Sequence, residues 1–187
     1  MIYALVDKQT LNKRGFSLQD LLLSLHSLSV PLLQYRNKCG LIAEKQLDLE
    51  VIRRYYSGKL IINDTMELID YADGVHLGQE DMSLYSENKS RAVDMIREKI
   101  GRKLLGLSTH NREEILEANR LDIDYIGLGA YRATDTKRDA EVGGEALLEI
   151  SKLSTHPVAI IGGVEIEDLF QDPIVYKVIG SGLYKTI

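Results

Sequence analysis

Short apolar runs recur along this chain, and a stretch of helical periodicity separates each run from the next. The clearest pair is Leu60-Ile61-Ile62, which ends in Asn63-Asp64, and Gly74-Val75-His76-Leu77, which ends in Gly78-Gln79-Glu80-Asp81. Two buried-type strands joined through a short helical segment describe one βαβ unit of a parallel sheet. The same alternation predicts strands over 2–6, 32–38, 59–62, 74–77, 103–107, 124–129, 157–161 and 175–179. Helical patterns fall at 17–29, 42–56, 85–100, 111–120 and 145–153, followed by a clipped segment at 165–170 and a last helix within 183–187. Eight such alternations point to an α/β fold, a compact (β/α)₈ TIM barrel rather than an open sheet.

At 187 residues the chain falls below the roughly 200-residue floor usual for that barrel. Shortened helices after the second, third and seventh strands and a truncated C-terminus are the expected economies. They leave apolar barrel surface that a second copy of the chain would cover, which allows a homodimer. With no linker or low-complexity tract, residues 1–187 read as one barrel domain.

A net charge of −5 argues against a general binder of nucleic acid or anionic membrane. Any phosphate site must then come from a local cluster of cations. The single cysteine, Cys39, excludes an internal disulfide and fits a reducing compartment. The N-terminus lacks a basic, long-apolar leader, and no apolar run nears the ~18 residues of a membrane span. A cytoplasmic protein is expected.

In parallel α/β folds chemistry collects at the carboxyl ends of the strands. There the sequence places Gln34, Arg36 and Lys38, which period two puts on one strand face. The next strand ends supply Asn63 and Asp64, Gln79 and Asp81, and Ser108 and His110. Thr134, Thr136 and Lys137 follow strand six, and Gly162-Gly163 and Gly180-Ser181 follow strands seven and eight. Paired carboxylates such as Asp64 and Asp81 suit Mg²⁺, and glycine turns after the last two strands suit a phosphate. Arg36, Lys38 and Lys137 beside a metal would suit a more highly charged group such as a diphosphate. Blander readings stand beside each: acids at strand ends cap helices, glycine pairs make tight turns, and lone lysines are solvated. His76 in its apolar run reads as a packed or supporting histidine, His110 as a first-turn residue, and Cys39 as a spectator without a partner base. The polar loop 131–143 is expected to act as a lid.

These residues also form an ordered set of motifs. Gln34-Tyr35-Arg36-Asn37-Lys38, Ile61-Ile62-Asn63-Asp64, Ala72-Asp73-Gly74-Val75-His76-Leu77-Gly78-Gln79-Glu80-Asp81 and Gly106-Leu107-Ser108-Thr109-His110 come first. Asp124-Tyr125-Ile126-Gly127, Thr134-Asp135-Thr136-Lys137 and Ala159-Ile160-Ile161-Gly162-Gly163-Val164 complete it. In content and order this set resembles the thiamine phosphate synthase family, a (β/α)₈ barrel that joins hydroxymethylpyrimidine diphosphate to thiazole phosphate and releases diphosphate. The resemblance implies that Gln34, Arg36, Lys38, Asn63, Ser108 and Lys137 contact the pyrimidine diphosphate, and that Asp64 and Asp81 bind Mg²⁺. It implies that Thr134, Thr136, Gly163, Gly180 and Ser181 hold the thiazole phosphate. The implied mechanism is dissociative, with Arg36, Lys38, Ser108 and Lys137 easing diphosphate away from a pyrimidine-stabilised carbocation. Tyr35 and Asn37 replace a usual Leu and Glu on the opposite strand face, and Ile179-Gly180-Ser181-Gly182 replaces a Val-Val-Ser-Ala type ending. Rival readings are a thiazole tautomerase, which would carry a histidine where Ala130 stands, a non-catalytic sensor of thiamine precursors, and an unrelated phosphate-binding barrel enzyme.

Overall fold

The computed structural model describes residues 1–133 and 141–185. Eight parallel strands close into a barrel in sequence order. They are β1 (Ile2–Asp7), β2 (Leu32–Arg36), β3 (Lys59–Asn63), β4 (Gly74–Leu77), β5 (Leu104–Thr109), β6 (Tyr125–Leu128), β7 (Val158–Ile160) and β8 (Ile174–Ile179), with β8 returning to pair β1. The helices are α1 (Lys8–Arg14), α2 (Leu18–Ser24), α3 (Ile42–Tyr55), α4 (Gln79–Ser83), α5 (Lys89–Ile100), α6 (Arg112–Ala118) and α7 (Glu145–Ser151). No helix among the described residues is long and apolar enough to cross a membrane.

The side-chain alternation of the strands divides the apolar residues into two cores. Ala4, Val6, Leu33, Leu60, Ile62, Val75 and their counterparts face outward and pack beneath the helices. Tyr3, Leu5, Leu32, Ile61, Tyr125, Ala159 and Val178 fill the barrel interior. At ~25 cal/mol per Å² of apolar surface, this double burial is the main force closing the barrel.

Acids just before two strands lock the amino-terminal end. Asp73 accepts the Leu60 N–H at 2.8 Å and pairs with Arg53 of α3 at 2.7 Å. Asp124 repeats the device, accepting the Leu105 N–H at 2.7 Å and pairing with Arg97 of α5 at 2.8 Å. Partial burial alone would raise the Asp73 pKa, but the Leu60 N–H and the Arg53 guanidinium hold it below the usual carboxylate value.

The structure departs from the sequence expectation in several connections. Seven residues the periodicity passed over form α1, because Asp7 caps it by accepting the Thr10 N–H at 2.8 Å and Gly15, at φ 74°, closes it. The helix expected over 17–29 ends at Ser24 and continues as a 3₁₀ turn, Leu25–Ser27. The helix expected from residue 85 begins at Lys89, because Asn88 accepts the Arg91 N–H at 3.0 Å and sets the start. The helix after β2 fills the expected 42–56 range with 14 residues, so it is not among the shortened ones. After β3 the connection is a 3₁₀ turn, Met66–Tyr71, and after β7 no helix forms among 165–170. There Asp168 accepts the Glu165 N–H at 2.8 Å and pairs with Arg132 at 2.6 Å, leaving Leu169 92% exposed. Among the described residues the expected final helix is a 3₁₀ turn, Ser181–Lys185.

Candidate functional site

The carboxyl ends of the strands open into a cavity of about 1070 Å³. Its lining includes Gln34, Arg36, Lys38, Asn63, Asp64, Asp81, Ser108, Gly163, Gly180 and Ser181, so the fold brings these expected site residues to one mouth. Gln79, His110 and Gly162 also reach it, whereas Cys39 is exposed outside the lining. Thr134, Thr136 and Lys137 lie outside the described residues, as does most of the expected lid.

On the β2 side, Gln34 is buried and Arg36 half-buried at the strand end, while Lys38 stands exposed just beyond it. Arg36 pairs with Asp7, a buried acid at the end of β1 that also accepts the Thr10 hydroxyl at 2.7 Å. Nothing in the sequence marks Asp7 for this contact, because an acid ending the first strand looks like any helix cap. Tyr35 and Asn37 point the other way, as expected from period two. The Tyr35 hydroxyl donates to Asp48 at 2.5 Å and the Asn37 amide donates to Tyr35 at 3.1 Å.

Asn63 and Asp64 follow β3. Asp64 takes a left-handed backbone, φ 60°, and Asn63 donates its amide hydrogen to the Asp64 carboxylate. Asp81, expected at a strand end, instead sits in the first turn of α4, where its Oδ2 accepts the Gly78 N–H at 3.0 Å. The capping reading of Asp81 is therefore correct, and the same side chain still meets Asp64. Burial first, and the Asp81 carboxylate next, push the Asp64 pKa up to about 6, with Lys38 and Arg36 pulling the other way.

These observations test whether the acids fit a divalent cation. Two carboxylates forced together in a half-buried site repel each other, and an intervening cation removes that cost. Among the described residues no cluster of three His, Cys, Asp or Glu side chains could hold a metal by itself. A hard ion leaning on two carboxylates, with water and substrate oxygens completing its shell, matches the habits of Mg²⁺. The residues fit.

Across the mouth, Gly162 and Gly163 have φ 97° and 57°. A Cβ on Gly162 would lie 2.9 Å from the Tyr131 N, and one on Gly163 would lie 2.8 Å from the Ala133 carbonyl oxygen. Their turn is demanded by the backbone, and both glycines line the cavity.

Beneath the mouth the interior is polar. His76 bridges Tyr125, at 3.2 Å from its hydroxyl, and Ser108, at 3.0 Å from its Oγ. Burial drives the His76 pKa down to about 4, against the opposing pull of Asp81, so the ring is neutral at neutral pH. Gln79 donates to the Ser108 carbonyl at 2.6 Å, while its own amide oxygen is buried without a partner among the described residues. Tyr3 and Tyr125, to which the sequence analysis gave no role in the site, supply hydroxyls beneath the mouth. His110 belongs to the rim, bonded to Glu114 at 3.0 Å.

Comparison with known proteins gives these features a context. A sequence model described as "Thiamine monophosphate synthase" matches residues 2–172. The chain is 34% identical to "Thiamine-phosphate synthase" of Persephonella marina over 176 residues, covering 90% of this chain and 78% of that protein. It is 33% identical to "Thiamine-phosphate synthase" of Methanosarcina mazei over 172 residues, covering 89% and 68%. The fold is similar to "Thiamine phosphate pyrophosphorylase" from Pyrococcus furiosus, with a TM-score of 0.75 at 22% identity over 99% of this chain and 91% of that one.

Proposed function

The chain belongs to the thiamine monophosphate synthase family, and from that premise we propose that it is a transferase joining hydroxymethylpyrimidine diphosphate to thiazole phosphate with release of diphosphate. The observation that carries this reading is the composition of one cavity: Asp64 and Asp81 paired, Arg36 and Lys38 beside them, and the Gly162-Gly163 main chain on the lining as well. Such a mouth accommodates two anionic groups of different charge.

Reaction begins with the pyrimidine ring seated over Gln34 and His76 of the cavity lining, its diphosphate turned toward Arg36, Lys38 and Asn63. Asp7 keeps the Arg36 guanidinium aimed at the mouth rather than free in solvent. Asp64 and Asp81 would hold Mg²⁺, which would supply positive charge to stabilise the departing diphosphate. As the carbon–oxygen bond breaks, the electron pair leaves with the diphosphate and the aminopyrimidine ring spreads the positive charge left behind. The thiazole nitrogen then donates its lone pair to that carbon, forming the new carbon–nitrogen bond. The Gly163, Gly180 and Ser181 turns anchor the thiazole phosphate so that this nitrogen faces the cation. Thr134, Thr136 and Lys137 are assigned to the same anions from their motif.

No protein nucleophile is needed, because breaking the bond to diphosphate asks only for charge stabilisation and positioning, and the Ser108–His76 hydrogen bond is left a supporting role. The test is product analysis after incubation with both substrates, with each alone, and with Mg²⁺ withheld. Thiamine phosphate formed only with both substrates and the metal supports the assignment. Tight binding of thiazole phosphate without any product would replace it with a sensor role.

A further inference from the structure

We propose that Tyr3 and Tyr125 are positioning residues: they carry a donor–acceptor polarity set at the Asp64 carboxylate across the barrel interior, and so fix which nitrogen of His76 bears its proton and where the Ser108 hydroxyl points.

The hydrogens run along one continuous path. Asn63 donates its amide N–H to Asp64 and accepts at Oδ1 from Gln34 Nε2, at 2.7 Å. Gln34 in turn accepts at Oε1 from the Tyr3 hydroxyl, at 2.8 Å. A phenol has one hydrogen to give, and Tyr3 has given it to Gln34. The 2.8 Å contact between Tyr3 and Tyr125 must therefore use the Tyr125 hydrogen. Tyr125 then has only lone pairs left for His76 Nδ1 at 3.2 Å, so that nitrogen carries the proton. In a neutral imidazole the other nitrogen is an acceptor, and Nε2 receives the Ser108 hydroxyl at 3.0 Å.

Running every bond the other way would require both amides to turn over. That would press Asn63 Oδ1 against the Asp64 carboxylate, two acceptors with no hydrogen between them. The acid thus sets the direction of six bonds that span strands β1 to β6. Tyr3 and Tyr125 are 1% and 2% exposed, so water cannot substitute for either link at low cost. At the far end, Ser108 enters the mouth with its hydrogen already committed to His76. An incoming phosphate oxygen takes that hydrogen only by breaking the link. The importance of this for turnover rests on the activity proposed above; the polarity itself does not.

The test uses the free, ¹⁵N-labelled protein and needs no turnover, so failure of the proposed activity would leave it standing. Ring-nitrogen chemical shifts are recorded at neutral pH, and the His76 signals are identified by their loss in His76→Gln. The expected result is a neutral ring protonated at Nδ1; protonation at Nε2, or a charged ring, overturns the proposal. In Tyr3→Phe the Tyr125 hydroxyl loses its acceptor and turns to donate to Nδ1, so the His76 proton should move to Nε2 although Tyr3 does not touch the ring. Gln34→Leu, which strips Tyr3 of its own acceptor, should produce the same move. A His76 proton that stays on Nδ1 in the folded variants would show that no polarity is transmitted. Should neither variant fold, the wild-type tautomer still decides.

Discussion

Asp64 occupies a backbone conformation that Asn tolerates as well as Asp and that costs an alanine ~1–2 kcal/mol. Asp64→Asn therefore isolates the charge, whereas Asp64→Ala would mix lost charge with backbone strain. We expect Asp64→Asn to lower kcat by about 100-fold or more, the range for losing one electrostatic stabiliser. Burial and Asp81 both oppose the Asp64 charge, so the same variant should raise Tm at neutral pH. Steady-state kinetics and a thermal melt on one sample check both. His76 gives a second prediction, with its sign fixed by linkage. Its folded pKa, about 4, lies below the ordinary histidine value near 6.5. As pH falls through that window the unfolded chain takes up a proton that the folded chain refuses, so stability drops. Between pH 7.5 and 4.5 the wild type should lose about 1–2 kcal/mol more than His76→Gln in denaturant melts, a figure discounted because the ring borders the mouth. Equal losses would show that His76 is not held neutral.

Strand and helix patterns were legible wherever period and apolar content agreed, which covers all eight strands to within a residue or two at most ends. The failures share a cause. The α1 helix has one buried residue, Leu11, so no apolar stripe announces it; its caps at Asp7 and Gly15 carry the signal instead. At α5 the apolar periodicity extends beyond the true start, which the side chain of Asn88 sets. Glycines inside strands also hold information that the pattern hid. A Cβ on Gly106 would lie 2.2 Å from Tyr125 Cζ, and one on Gly127 would lie 2.9 Å from His76 Cε1, so these two glycines make the space for the polar floor. Gly106→Ala should cost about 1–3 kcal/mol of stability through overpacking and should lower kcat with it, by urea melt and assay. The Arg97–Asp124 clamp is the contrast, being at the opposite end of the barrel from the mouth. Arg97→Ala should destabilise by about 1–3 kcal/mol and leave kcat unchanged; a large loss of kcat in protein that remains folded would refute that separation.

The whole molecule is a device for convergence. Gln34, Asn63, Asp64, Asp81, Ser108 and Gly163 are spread over 130 positions of sequence, and closure of β8 onto β1 gathers them around one opening. That gathering was legible because the barrel fixes where strand ends go, once eight alternations are counted. What lies between the strand ends was not. Tyr3 and Tyr125 meet only after closure, and Asp7 reaches Arg36 only once β1 and β2 pair in register, so no local spacing announces either contact. The acids and cations of this opening are expected to drive diphosphate out. Diphosphate release should be measured against thiamine phosphate formation across a Mg²⁺ titration, in wild type and in Asp64→Asn. We predict one diphosphate per thiamine phosphate, dependence on the metal, and near-abolition in the variant; full turnover in chelator, or undiminished turnover in Asp64→Asn, would contradict it.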